Sequence, residues 1–340
     1  MVALNNTSWT SREERLGDAL DYESLVRRIP QATVFHTSEW LKVVDAITPG
    51  GLWFLRVVQG GETVGVLPHT HLRRGPFRLA FSPPPGLGMQ YLGPLIPGWS
   101  EMKQGKREQR LAAIAEALEV HLRATRNQYC QIRWAPGLDD ARAFQWNGFD
   151  ALPRYIYALP LSDETTVWES LGGNVRSSIR RHSSDILVGT GTSEDWPIFE
   201  QRLAMRYSEQ GLDRALPTGY LEALRKSLGD ALTLLVARQG EDWLGAVALI
   251  HSRDRVSLWQ GAFKGPAGPP VNDVLVWSAI RYACTTGADE FELMGANTRR
   301  IAEFKAKFNP HLETYLETRK GTLLASAALK LRGMVRGGGW

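Results

Sequence analysis

The chain has 340 residues, of which 43% are apolar and 22% charged, a formal net charge of +4 at pH 7, and two cysteines. This is enough apolar material for two domain cores. Cys130 and Cys284 are too few for a disulfide scaffold or a cysteine metal cage. The start lacks a long apolar run and no stretch approaches about 20 uninterrupted apolar residues, so the expectation is a cytoplasmic protein, neither secreted nor membrane-spanning.

In chain order, the first expected element is a helix at TSEWLKVVDAI, followed by a strand pair across residues 52–73. A Gly/Pro-rich loop (82–105) leads to an amphipathic helix (106–125), a short strand (128–134), a short helix ending in FQWNGF (144–149) and a strand (155–161). After a basic segment (171–185) the order returns. A helix at PTGYLEALRKS precedes a second strand pair ending near residue 253, then come a strand (256–263), a Gly/Pro loop, a helix (272–287), a strand (289–295), a helix (301–308) and a strand (312–318). Apolar residues at i, i+3 and i+4 mark the helices, and β-branched and aromatic runs bounded by Gly and Pro mark the strands. Each copy reads α, β, β, β, α, β, α, β.

The repeated order is also a repeated sequence. Residues 36–73 and 216–253 align without a gap at an offset of 180, where Leu52, Leu55, Gln59, Gly60, Gly65, His71 and Arg73 match Leu232, Leu235, Gln239, Gly240, Gly245, His251 and Arg253. Trp40 faces Tyr220 in the same register. A period of this length is a whole domain, so the chain holds two copies of one fold. The expected division is an amino-terminal domain (1–165), a carboxy-terminal domain (166–320) and a basic amphipathic tail (321–340).

Charge is unevenly placed. In LGGNVRSSIRRHSSD, Arg176, Arg180, Arg181 and His182 fall within seven residues. Arg176 and Arg180 share a helix face, which suits either a phosphate or plain solvation. The position of the cluster at the junction of the copies favours a ligand. The tail RKGTLLASAALKLRGMVRGGGW is basic with apolar residues at near-helical spacing, and fits equally a membrane-interface helix or a helix packed on the second domain. The sequence shows no G-x-S-x-G, no Cys with a nearby His and no P-loop lysine motif. His69 and His71 share a strand face with metal-ligand spacing, but His71 has a twin in His251 while His69 faces Leu249; scaffold duty is the reading taken, and no metal is assigned.

The segment ADEFELMGANTRRIAEFKAKFNP (288–310) looks least like scaffold. A strand ending in Glu292-x-x-Gly295 feeds a polar turn with Asn297 and Arg299, then a helix bearing Phe304-Lys305. The first copy has Phe144-Gln145 at the matching place, as expected when one copy works and the other supports it.

The two-copy layout, TSEW, the W-x-x-L-x-x-x-x-R-x-x-I-R-R stretch from Trp168 to Arg181, and F-E-L-x-G followed by F-K-x-x-F together resemble the double-domain branch of the GNAT superfamily. That branch holds the Fem-type peptidoglycan-bridge aminoacyltransferases and related polysaccharide and cell-envelope acyltransferases. The resemblance implies an α/β (α+β) fold of tandem GNAT-like domains, each a mixed, mostly antiparallel sheet flanked by helices. It also implies acyl transfer to an amine without a covalent enzyme intermediate. By position, Lys305 matches the family's F-K lysine, which stabilises charge on the carbonyl oxygen or holds the donor; Glu292 would take the amine proton directly or through water. Arg176, Arg180 and Arg181 would hold phosphates, with Asn297 and Arg299 as further cleft residues. No cofactor is expected to be permanently bound; the donor would be aminoacyl-tRNA or acyl-CoA.

Simple acetyltransferases cradle the CoA pyrophosphate on a Gly-rich loop before a helix. The corresponding FKGPAGPPVND has Gly265 and Gly268, but Pro266, Pro269 and Pro270 remove three donors and Asp273 adds a negative charge. Three readings follow. The first is a Fem-like acyl or aminoacyltransferase acting on a cell-envelope or polysaccharide precursor. The second is a CoA-dependent N-acetyltransferase of a small amine or amino sugar. The third is a catalytically silent RNA- or membrane-binding module. The partners expected are polyanionic (tRNA, CoA, or a nucleotide- or lipid-linked precursor), with peripheral contact at the inner membrane face through the tail and no DNA.

Overall fold

The computed structural model describes residues 9–16, 21–209, 216–263 and 271–335. In chain order the elements are β1 (Trp9–Arg15), α1 (Tyr22–Arg27), α2 (Ser38–Ile47), β2 (Leu52–Gln59), β3 (Glu62–Arg74), β4 (Phe77–Ser82), α3 (Gln104–Ala124), β5 (Tyr129–Arg133), α4 (Arg142–Trp146) and β6 (Asp150–Pro160). They continue with α5 (Glu164–Ser170), α6 (Gly173–His182), β7 (Leu187–Thr190), α7 (Asp195–Glu209), α8 (Tyr220–Leu228), β8 (Leu232–Gln239), β9 (Asp242–Ser252), β10 (Arg255–Phe263), α9 (Val271–Thr285), β11 (Glu290–Gly295), α10 (Arg299–Ala306), β12 (His311–Gly321) and α11 (Leu323–Val335). The repeated order holds in full, as α2-β2-β3-β4-α3-β5-α4-β6 and α8-β8-β9-β10-α9-β11-α10-β12.

The chain forms two compact units, Met1–Pro153 with Tyr315–Arg332, and Arg154–Thr314 with Gly333–Trp340. Neither unit is a continuous stretch, so their limits differ from the linear halves expected at 165/166. The last strand begins in the second unit and ends in the first.

In the first unit the strands run β1-β2-β3-β4-β5-β12, antiparallel except for the parallel β4/β5 pair. Helix α2 starts where the Thr37 side chain accepts a hydrogen bond from the Trp40 backbone N–H at 3.3 Å. Helix α3 lays Leu111, Ile114, Ala115, Leu118 and Leu122 on Leu55, Val57, Leu67 and Ile132, the i, i+3, i+4 stripe that drives its docking. The approach is close: a Cβ on Gly65 would lie 2.4 Å from Ile114 Cδ1. Trp134, fully buried, packs edge-on against Phe144 at 4.7 Å and donates from Nε1 to Thr318 Oγ1 at 3.0 Å. Helix α11 belongs to this unit as far as Arg332, with Ala325 buried against Leu79, Phe81 and Tyr129.

In the second unit the order is β6-β11-β10-β9-β8-β7, again antiparallel except for one parallel pair, β10/β11. Leu275, Ala279, Ile280 and Ala283 of α9 cover Leu235, Val247, Leu249 and Phe291, and Val175 and Ile179 of α6 join the same core. The twin glycines have physical causes. Gly60 and Gly240 turn their hairpins at φ +58° and +57°, and a Cβ on Gly245 would meet Phe263 Cδ1 at 2.9 Å. No helix among the described residues is long and apolar enough to cross a membrane.

Candidate active site

The parallel ladder between β10 and β11 is short, pairing Arg255, Val256 and Ser257 with Glu290, Phe291 and Glu292. Bulges then interrupt both strands, between Leu258 and Gln260 on β10 and between Glu292 and Met294 on β11. Met294 sits at φ +62°, a conformation that L side chains seldom adopt and that is stored where a site demands it. Bulges of this kind re-aim side chains at the end of a pairing.

Glu292 and Lys305 come together at this place. Glu292 is 0% exposed, and its Oε2 accepts from Arg255 Nη1 at 3.2 Å. Arg255 also serves Glu290 and Glu313. Burial opposes the Arg255 charge, but these carboxylates outweigh it and raise its pKa. From α10, Lys305 Nζ donates to the Gly295 carbonyl at 2.8 Å. Burial pushes the Lys305 ammonium down to about 8, against the pull of Glu292 and with the help of the Arg206 cation.

Two residues that the sequence did not single out stand here. Arg206 on α7 donates from Nη1 to the Gly261 carbonyl and places its guanidinium 5.6 Å from the Phe263 ring centroid. Its neighbour Tyr207 hydrogen-bonds to Gln260 Oε1 at 3.1 Å, and burial raises its pKa. Their helix carries no repeat identity, since its counterpart α1 has only six residues.

The remaining expected residues are dispersed. The Asn297 amide is engaged on both sides by Tyr155, accepting from its N–H and donating to its carbonyl, each at 2.9 Å. It pins the turn after β11 to β6. Arg299 is 91% exposed and pairs with Glu303 one turn along at 2.7 Å. Arg176 is partly buried, whereas Arg181 is exposed. Arg180 lies 5.3 Å over Trp168 and lines a groove of about 510 Å³ with Trp168, Trp277 and Arg281, a groove whose lining includes neither Lys305 nor Glu292.

Asp273 behaves differently from the expectation of an open charge at the helix start. It is 6% exposed, its Oδ2 accepts from Ser178 Oγ at 2.9 Å, and its Oδ1 is ion-paired with Lys307. The charge is therefore spent inside the unit rather than presented to an anion. Gly265, Gly268, Pro266, Pro269 and Pro270 lie outside the described residues.

In the tail, Arg319 pairs with Glu317, and Lys320 pairs with Glu119 and donates to the Asn147 carbonyl at 2.7 Å. Leu323 and Leu324 point outward, at 91% and 77% exposure. The Arg336 end lies outside the described residues.

The first unit supplies an internal control. Through the strand registers, His71↔Ala80 and His251↔Val256 make Ala80 the counterpart of Val256. Ala80↔Cys130 and Val256↔Phe291 then place Gln131 where the second unit has Glu292. With Gln145 opposite Lys305, both charges of the pair are replaced by uncharged side chains.

Residues 174–306 match the acetyltransferase (GNAT) domain family. Among solved structures, the chain is similar to one named FemX at TM-score 0.66 and 12% identity, covering 94% of this chain and 99% of that one. A tandem GNAT protein from the clavulanic acid biosynthesis pathway gives TM-score 0.55 at 12% identity, covering 92% and 98%. The carboxy-terminal domain of a putative lysylphosphatidylglycerol synthetase from Agrobacterium fabrum gives 0.52 at 16%, covering 80% and 85%. At these identities the likenesses show the tandem GNAT fold. None of the curated proteins matches the chain.

Proposed function

We propose, from the premise that residues 174–306 form a GNAT acyltransferase domain, that this enzyme transfers an acyl or aminoacyl group to an amine of a cell-envelope or polysaccharide precursor. The working cleft is the end of the β10/β11 ladder. The observation that carries this is the difference between the copies: Glu292 and Lys305 in the second unit, Gln131 and Gln145 in the first.

In the proposed reaction the acceptor nitrogen attacks the donor's carbonyl carbon, a C–N bond forms, and the ester or thioester bond breaks. Negative charge develops on the carbonyl oxygen, and the Lys305 ammonium, fixed by the Gly295 carbonyl, stabilises it. Glu292 is closed off from solvent, so its part is to hold the charge on Lys305 while the amine proton leaves through water. Arg206 adds a second cation for the donor's phosphates, and Arg176, Arg180 and Arg181, set apart on α6, are further phosphate-binding candidates.

Aminoacyl-tRNA is the donor that the proline-rich loop favours, since Pro266, Pro269 and Pro270 offer no N–H to a pyrophosphate. One observation supports a second reading with acyl-CoA: Asp273, its charge matched by Lys307, does not repel an anion at the start of α9. Thermal-shift titrations with acetyl-CoA and with charged tRNA separate the two. A saturable rise with charged tRNA, and none at millimolar acetyl-CoA, is expected. The reverse pattern would replace the donor, and no response to either would overturn the acyltransfer reading of the cleft.

A further inference from the structure

The first unit brings four potential metal ligands to one point on the sheet face beneath α3. They are Glu13 of β1, His69 and His71 of β3, and His121 near the end of α3. Their ligand atoms all lie within 4.8 Å of one another. Glu13 Oε1 is 2.9 Å from His69 Nε2, 2.7 Å from His71 Nε2 and 3.4 Å from His121 Nε2.

Local geometry explains the convergence. Glu13 pairs with Leu55 on β2, and Leu55 with Leu67 on β3, so Glu13 and Leu67 share a face. His69 and His71 follow Leu67 at two-residue steps on that same face. Helix α3 packs on it and brings His121 over the other three, with ring centroids 5.2 Å from His69 and 5.4 Å from His71.

Hydrogen bonding shows what is missing at the centre. His69 Nδ1 lies 3.1 Å from the Leu67 carbonyl, an acceptor, so the ring's proton belongs on Nδ1. That leaves the Nε2 lone pair of a neutral imidazole aimed at a carboxylate oxygen 2.9 Å away, which is repulsive unless a cation stands between them. A proton on Nε2 satisfies this one contact, and His71 satisfies a second: Asn127 Nδ2 faces its Nδ1 at 3.3 Å, so its Nε2–H donates to Glu13 Oε1 at 2.7 Å. Neither accounts for His121 Nε2, buried 3.4 Å from the same oxygen with no hydrogen-bond partner, whereas a metal accepts all four at once. A backbone carbonyl that fixes the far nitrogen is also the usual second partner of a metal-bound histidine.

The second unit shows that the fold itself does not require these residues. The register Thr190↔Leu235 puts Thr190 in the place of Glu13, and the repeat puts Leu249 in the place of His69. His251, the twin of His71, packs at 5.5 Å against Tyr282 of α9, the ring that takes His121's position. One of four ligands remains there, and the sheet and its helix pack all the same.

We propose that Glu13, His69, His71 and His121 form a binding site for a divalent first-row transition ion of the zinc class, closing the first unit by tying β1 to β3 and α3. Three imidazoles and a carboxylate are a nitrogen/oxygen set suited to such an ion. In a zinc tetrahedron with donors about 2.0–2.1 Å from the metal, neighbouring donors are about 3.3 Å apart. The distances from Glu13 bracket that value, and the ring nitrogens, all within 4.8 Å of one another, close up by side-chain rotation to complete the shell.

The test uses the untagged full-length chain, stripped with a chelator and checked by circular dichroism. Titration with zinc chloride is followed by calorimetry, and cobalt substitution is read by visible absorption. The expected results are one ion per chain, a tetrahedral cobalt spectrum, and a thermal midpoint that rises with zinc. Glu13→Gln and His69→Ala should weaken binding on the order of 100-fold, and His251→Ala should leave it unchanged. If the folded wild-type chain takes up no ion at about 100 µM zinc, or the His69→Ala/His121→Ala double variant binds like wild type, the proposal fails. The wild-type titration decides even if a variant does not fold.

Discussion

Lys305 is the residue whose behaviour separates chemistry from scaffolding. Burial, together with the Arg206 cation on α7, lowers its pKa to about 8, while Glu292 on β11 resists. If its ammonium stabilises the developing oxyanion, the active form is the protonated one. Activity then holds below about 8 and falls as pH rises through that value, which would be read as a descending limb in kcat/KM. Lys305→Arg, permanently charged, should lose that limb while keeping part of the rate. Lys305→Ala should lower kcat by about 10²–10³-fold, the usual cost of one oxyanion donor, with an unchanged far-ultraviolet spectrum. Gln145→Ala in the first unit should leave activity as it was. Equal losses from the two substitutions would remove the case for one working copy.

At the scale of elements, the Asp273–Lys307 pair joins the start of α9 to the end of α10, with Ser178 of α6 on the second oxygen. Lys307→Met leaves a nearly buried carboxylate with the Ser178 hydroxyl alone and should cost about 1–3 kcal/mol in urea unfolding. Asp273→Asn should cost less, because the partly exposed Lys307 can turn to water. The reverse order would mean that the pair is not what holds these helix ends. Elements with a strong apolar period were legible in the sequence: α2, α3, α8 and α9 and the repeated hairpins stand where the pattern predicts, because twin core positions such as Leu55 and Leu235 are under the same packing constraint. The edge strands were not. WTSREER in β1 and LVGT in β7 are short and mostly exposed, so neither alternation nor length betrays them. Missing β1 hid Glu13, and with it the convergence of Glu13, His69, His71 and His121. Lys305 was visible for the opposite reason, since an internal copy lacking the charge stood beside it. Arg206 and Tyr207, on α7, had no such comparison.

For the whole molecule, the last strand decides how the chain can be divided. Residues Tyr315–Arg332 belong with the first unit, where β12 pairs antiparallel with β5 from Glu317↔Arg133 to Gly321↔Tyr129. Trp134 depends on this strand twice: its backbone N–H donates to the Leu316 carbonyl at 2.8 Å and its indole to Thr318. Tyr315 adds a hydrogen bond from Gln90 and a ring contact with Tyr91 at 5.8 Å. A chain ending at Thr314 therefore strips the first unit of a sheet edge and uncovers one of its two fully buried tryptophans, although the cut falls some 160 residues beyond Pro153 in sequence. Hydrogen exchange on that truncated chain should show protection lost across β3, β4, α3 and β5, and retained across β8, β9 and β10. A division at 165/166, with the closing strand in the second copy, predicts the opposite: the second unit should lose protection and the first should keep it. The chain's economy follows from the observed partition. Arg154–Thr314, the stretch that carries Glu292 and Lys305, lies in sequence between the two pieces of the first unit, so the first unit cannot complete its fold until that stretch has been synthesised.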